Sequence, residues 1–392
     1  MKLLEIFLIF LRLGLTSFGG PIAHLGYFHN EFVNRRKWIH EEAYAELVAI
    51  CQFLPGPASS QVGMAIGLNR AGLLGAIVAW IGFTLPSAIL LVLFAFGISH
   101  FSGSLDSGWL HSLKVIAVAV VAQAIWAMGT KLCPDKERLG IALLACAATS
   151  AFPSAWIQLI TLAVAGILAA FFFKKSTALP HTPMPAVLSK KVGATLLTLF
   201  FSLLVLLPMA AKFSQAQGLK LFESFYRAGS LVFGGGHVVL PLLQSEVVPT
   251  GWVSDSAFMA GYGAAQAIPG PLFSFSAYLG AISNVPPNGW LGALICLLAA
   301  FLPAFLLILG TLPFWEQLRK IEKMRLAMLG INAAVVGLLL SAFIHPVWSS
   351  GILNLKDFLL ALSAFLLLTL AKAPSWLVVL LGVLAGLVIP GY

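Results

Sequence analysis

Apolar runs of about twenty residues, separated by short polar breaks, fill almost the whole of this sequence, and no other feature restricts its fold as strongly. One helical crossing of a bilayer takes about 20 such residues, so the chain has room for about ten. Barrel strands would instead show ~10-residue stretches of alternating polarity. A soluble fold is excluded, because 23 basic and 14 acidic side chains make only 9% of the 392 residues. Soluble domains carry roughly 25%. The expected fold class is an all-α polytopic membrane protein.

The formal net charge of +9 does not mark a nucleic-acid binder. The basic residues sit in short loop clusters, as cytoplasmic membrane loops do. Cys51, Cys133, Cys146 and Cys296 form no CxxC pair and sit mostly in apolar surroundings, which argues against disulfide or zinc roles. The start lacks a small-residue cleavage site and meets Arg12 early, so it is expected to stay in the mature protein.

The chain repeats itself. Arg12, Gly14, Phe18, Gly19, Gly20 and Pro21 return as Arg227, Gly229, Phe233, Gly234, Gly235 and Gly236. Trp38 returns as Trp252, and Gln52, Pro55, Gly56 and Pro57 return as Gln266, Pro269, Gly270 and Pro271. Leu85-Pro86 matches Leu302-Pro303, and Ala119 to Val121 matches Ala334 to Val336. So many matches in one order make the halves homologous.

The charge bias changes sign between corresponding loops. Arg35-Arg36-Lys37 precedes Trp38, whereas Val248 to Gly251 before Trp252 is uncharged. Arg319, Lys320, Lys323 and Arg325 follow the second Leu-Pro helix, whereas Ser99 to Trp109 holds only Asp106 and His100. Basic loops stay inside, so the halves are expected in opposite orientations, the inverted repeat of many transporters. Lys131, Lys136, Arg138 and Lys174, Lys175, Lys190 and Lys191 also belong inside. The expected division is a first repeat over 1–173, a cytoplasmic linker over 174–191 and a second, inverted repeat over 192–392. Parity then makes 41–70 dip in and return around Pro55-Gly56-Pro57 before 72–98 crosses outward and 110–130 inward. Segment 139–173 becomes a tight hairpin turning near Phe152-Pro153. Segment 222–247 is expected to turn at Gly234-Gly235-Gly236, with its counterpart at Gly19-Gly20-Pro21, the alternative there being a kinked helix that spans.

These four breaks carry the chemistry. Proline cannot continue a helix, and glycine permits positive φ and close approach. Broken backbone in hydrocarbon survives only where protein or a cavity surrounds it. A packing kink explains any one break, but four repeat-related breaks point to a shared midplane site. Helices starting near Ile22, Ala58, His237 and Leu272 would aim free N–H groups there, which suits an anion.

Arg12 and Arg227 precede the glycine breaks at equivalent positions. Intramembrane arginine is costly, so it snorkels or faces a partner; the functional reading gives both guanidiniums an oxyanion. Gln52 and Gln266 could donate to the same anion or bond neighbouring helices. Glu31, Glu46 and Glu246 are candidates for proton coupling, against plainer roles in loops or caps. His24 and His237 flank the glycine turns without metal-ligand partners. No Walker loop, HExxH or nucleophile elbow supports catalysis.

Thr16 to Pro21, Gln52 to Gln61, Phe233 to Pro241 and Gly261 to Pro271 resemble the signature stretches of the chromate ion transporter family. The resemblance spans roughly 5–130 and 220–345 and is to the two-domain, long-chain type. It implies efflux of chromate, a tetrahedral dianion, across the cytoplasmic membrane, driven by membrane potential or proton gradient, with no cofactor. The implied partners are that oxyanion and the lipid bilayer, with no nucleic acid and with a homodimer left open. A sulfate-like oxyanion permease and an anion channel remain as alternatives. A membrane-embedded chromate reductase lacks any cofactor motif.

Overall fold

The computed structural model describes residues 2–18, 20–100, 108–152, 155–173, 188–233, 239–318 and 321–388. Gly19, Gly234, Gly235, Gly236, His237, Pro153, Arg319, Lys320 and most of the expected linker lie outside the described residues. Among the described residues there are helices and connections but no strand.

In the first half, α1 (Lys2–Thr16) reverses into α2 (Gly20–Phe28), which widens into a π-helical stretch over His29–Arg35. Helices α3 (Glu41–Phe53) and α4 (Ala58–His100) flank the first Pro-Gly-Pro turn. Next come α5 (Gly108–Leu132), α6 (Lys136–Ala151) and α7 (Ala155–Phe172). Helix α8 (Lys190–Phe213) joins the halves. The second half repeats the pattern with α9 (Gln217–Ser230), α10 (Val239–Val247), α11 (Asp255–Ala267), α12 (Phe275–Ile282) and α13 (Gly289–Thr311). The short α14 (Trp315–Leu318), α15 (Glu322–Ala342), the short α16 (Ser349–Gly351), α17 (Leu355–Thr369) and α18 (Ser375–Val388) complete it.

Five helical stretches among the described residues are long and apolar enough to cross a membrane: Ala58–Ile98, Gly108–Leu132, Lys190–Phe213, Gly289–Phe314 and Glu322–His345. The first is two helices, because Ala71 and Gly72 leave helical backbone. That bend falls between the expected 41–70 and 72–98 segments. Local capping sets several starts. Asp135 accepts the Arg138 N–H at the head of α6, and Asn354 and Asp357 form a reciprocal capping box on α17.

Side-chain pairs fix how the broken segments run. Glu5 meets Arg36 at 3.2 Å and Arg12 meets Glu31 at 2.5 Å, so α1 and α2 with its extension form an antiparallel hairpin. Arg227 and Glu246, at the same 19-residue separation, pair α9 with α10. Arg70 stacks over Trp38 at 4.7 Å, so the chain leaving the first limb of α4 is back where α3 began. In the second half the Asn284 backbone N–H donates to Trp252 O at 2.8 Å, closing α11 and α12 in the same way.

The halves are interlocked. Helix α15 packs on α6 and α7 of the first half, and α5 packs on α17 and α18 of the second. Lys131, at the end of α5, lies beside the start of α6, whereas Ser341, near the end of α15, hydrogen-bonds Ser150 at its finish. Sixteen helical residues rise about 24 Å, so the equivalent helices α5 and α15 end on opposite faces. The inverted repeat read from loop charge is therefore present in the packing.

Candidate functional site at the crossed helix breaks

Each Pro-Gly-Pro turn docks on the chain just ahead of the glycine stretch of the opposite half. The Gly56 N–H donates to Val232 O at 2.7 Å, and the Gly270 N–H donates to Ser17 O at 2.9 Å. Val232 and Ser17 immediately precede Phe233 and Phe18. Gly56 has φ +119° and Gly270 φ +106°, a region that side chains disfavour. Space is equally tight: a Cβ at Gly56 would lie 3.0 Å from Ala304 Cβ, and one at Gly270 2.9 Å from Ser87 Oγ. Ser87 and Ala304 each follow the proline inside their long helices, Pro86 of α4 and Pro303 of α13. Sequence-distant breaks thus meet in two crossed, repeat-related pairs.

Around the crossing lies a buried set of hydroxyls and amides. Ser87 Oγ is 2.7 Å from Ser274 Oγ and donates to Thr84 O at 3.0 Å. His24 lies 3.2 Å from Ser17 O through Nε2 and 3.3 Å from Ser59 Oγ through Nδ1. A carbonyl only accepts, so Nε2 carries the proton. Gln61 Nε2 donates to Pro55 O at 2.9 Å, bracing the first turn. Ser17 Oγ, Ser60 Oγ, Thr84 Oγ1, Gln61 Oε1 and Gln266 Nε2 are buried with no hydrogen-bond partner among the described residues. Burying such a group unpaired costs about 1–3 kcal/mol, so five at one crossing need an explanation. Serine and threonine in helices usually bond the preceding turn, so composition gave no reason to select these. Their placement beside Phe18, Pro57 and Pro86 was the available signal.

The expected site residues are placed as follows. Gln52 is exposed and lines, with Pro21, Gly56, Ala58, Lys131 and Asn332, a cavity of about 150 Å³. Gly20 begins α2. Pro55 and Pro269 are half-buried, Pro57 and Pro271 buried. Phe18 packs against Trp376 of α18 with ring centroids 5.8 Å apart, and Phe233 is half-buried. A second cavity of about 440 Å³, lined by Thr149, Gln158, Gln244, Asp255, Ser341 and His345, lies at the opposite end of α6. The two cavities approach the protein from opposite faces.

The arginines are engaged by carboxylates. Glu31 accepts from Arg12, Arg35 and Arg36 at 2.5, 3.2 and 2.6 Å, and Arg36 also reaches Glu5. Arg227 holds Glu223 and Glu246, each with a 2.6 Å contact. The sequence reading aimed both guanidiniums at an oxyanion and treated Glu31 and Glu246 separately. In the structure the matched arginines and glutamates are one another's partners, because a cation carried into an apolar hairpin is stabilised by a nearby counter-charge. Glu223, which the sequence reading passed over, completes the second cluster. Glu46 is buried and accepts the Trp315 indole N–H at 2.6 Å, a bond between the halves.

The chain matches the family described as "Chromate transporter" over residues 4–171 and 219–387, leaving α8 outside both segments. It is 27% identical to the "Chromate transport protein" of Pseudomonas aeruginosa over 86% of this chain and 79% of that protein. It is 27% identical to the "Probable chromate transport protein" of Synechococcus elongatus over 97% of this chain and 93% of that one. For the "Chromate transport protein" of Cupriavidus metallidurans the identity is 26%, over 98% and 92%. No solved structure matches. With both halves matched, the chain belongs to the chromate transporter family.

Proposed function

We propose that this protein exports chromate from the cytoplasm across the cytoplasmic membrane by secondary active transport, binding the oxyanion at the crossed helix breaks. The observation that carries this proposal is the group of buried hydroxyl and amide groups without partners at the crossing, Ser17, Ser60, Thr84 and Gln266. A tetrahedral dianion accepts several hydrogen bonds at once, and the starts of α2 and α4 add helix-end N–H groups. The free Gln52 and the cavity beneath Lys131 supply an approach from the face that carries the basic loops. Arg12 and Arg227 act there as paired supports and attract the anion at longer range. In this reading the hairpins α1–α2, α3–α4, α9–α10 and α11–α12 are re-entrant, and alternating access moves the crossing between the two cavities.

The test is labelled chromate uptake into inverted vesicles. Saturable uptake, lowered by excess unlabelled chromate and by an uncoupler, is expected. Uptake that stays linear with concentration and ignores the uncoupler would indicate a pore. Stronger competition by sulfate than by chromate would reassign the substrate to sulfate.

A further inference from the structure

The repeat provides an internal comparison of its two charge clusters. Both keep an arginine and a glutamate 19 residues apart, Arg12 with Glu31 and Arg227 with Glu246. Their surroundings differ in sign. In the first half, Arg12, Arg35 and Arg36 face Glu5 and Glu31, one positive charge in excess. The Arg12 and Arg35 side chains are 47% and 58% exposed, so water solvates that excess. In the second half, Arg227 alone faces Glu223 and Glu246, one negative charge in excess. Here the side chains are 15%, 9% and 9% exposed.

Arg227 divides itself between the two carboxylates. Its Nε and Nη2 donate to Glu223 at 2.6 and 3.3 Å, while Nη1 and Nη2 donate to Glu246 at 2.6 and 2.9 Å. One guanidinium balances one carboxylate. A second buried carboxylate beside it is an uncompensated charge, which proteins avoid by holding a proton on the pair.

Among the described residues, no other group supplies the missing charge. Helix α9 packs on α8, α10 and α13, and α10 packs on α7 and α15. These elements bring Lys190, Lys191 and Lys212 from α8, Cys296 from α13, and Glu322, Lys323 and Arg325 from α15, while α7 has no titratable residue. On α9 itself Tyr226 turns away to donate to Phe200 O, and Lys220 is the remaining cation. Lys323 lies over the Phe171 ring. Among the described residues none of these groups except Arg227 pairs with Glu223 or Glu246. His237 lies outside the described residues.

We infer that Glu223 and Glu246, clamped by Arg227, form a proton-binding site on the second half that couples proton movement to oxyanion transport. This rests on the transport reading above and names its coupling ion. The proton adds to one carboxylate oxygen of the pair. Arg227 then keeps the other carboxylate; its contact with Glu246 is the charged tie between α9 and α10, whereas its contact with Glu223 lies within α9. The first-half cluster has its single buried carboxylate enclosed by three guanidiniums and takes no such proton.

The full-length protein in proteoliposomes tests this with two fluxes: chromate exchange without a gradient, and chromate accumulation driven by a pH gradient. For E223Q and E246Q the ratio of driven accumulation to exchange should fall at least tenfold, whereas E31Q should leave that ratio as in the unaltered protein. An unchanged ratio in both E223Q and E246Q overturns the assignment. A direct readout covers variants that fold poorly: infrared difference spectra of the unaltered protein between mildly acidic and alkaline pH. They should carry a protonated-carboxyl band that E223Q removes, and its absence from the unaltered protein overturns the proposal. If the unaltered protein shows no chromate exchange, the transport reading itself fails. Exchange without any pH-driven accumulation sinks only the proton site.

Discussion

Gly56 and Gly270 show how much one residue can decide. Each combines a positive φ with a neighbour from the opposite half that an added Cβ would approach to 3.0 or 2.9 Å, inside van der Waals contact. Gly56→Ala should cost about 1–3 kcal/mol in backbone strain. Gly56→Leu should abolish chromate flux, read as vesicle uptake per molecule of inserted protein. The paired arginines differ despite their equivalence. Removing Arg12 leaves Glu31 with Arg35 and Arg36, in a half-exposed setting where an ion pair is worth about 0–1 kcal/mol. Removing Arg227 strands two buried carboxylates, a loss of about 3–5 kcal/mol. Thermal unfolding in detergent should therefore show a small shift for R12A and a large one for R227A. Equal shifts would contradict the burial difference. The pairing could have been anticipated from the common 19-residue spacing, since the repeat that matches Arg12 with Arg227 also sets Glu31 opposite Glu246. It was missed because spacing across a chain reversal has no fixed period, unlike spacing along one helix.

At the scale of elements, packing depends on small residues where helices from different halves meet. A side chain at Gly337 on α15 would run into the backbone carbonyl of Ala142 on α6. Gly337→Leu should force α15 away from α6 at a cost of about 1–3 kcal/mol, seen as a lower melting temperature. A Cβ added at Gly129 on α5 meets nothing within 4 Å, so Gly129→Leu serves as the control. Hairpin limits were readable at this scale. The Pro-Gly-Pro turns and the bend after Arg70 follow from proline and glycine chemistry together with the loop charges. The π-helical widening over His29–Arg35 was not, because it involves no distinctive residue type.

For the whole molecule, interlocking has a clear consequence. Helices α6 and α7 complete the packing of α15, and α17 and α18 complete that of α5. Residues 1–173 expressed alone should be degraded or aggregate, while co-expression with 188–392 should restore an assembled, folded protein. Independent folding of the first half would contradict this. Orientation has its own test. Cysteines at the exposed positions Lys37 and Thr250 should be labelled from opposite sides of the membrane. Labelling from one side would remove the inverted repeat.

Hydrophobic run length, loop charge and repeated motifs determined the class, the two halves and their opposed orientation without any coordinates. These features act locally or through the bilayer, so each can be read along the chain. Tertiary structure alone decided that each turn docks on the other half's break. It also decided that buried hydroxyls gather at that crossing and that each arginine finds its glutamate across a hairpin. Those contacts depend on which distant segments share space, and hydrogen-bond satisfaction is settled only once every neighbour is in place.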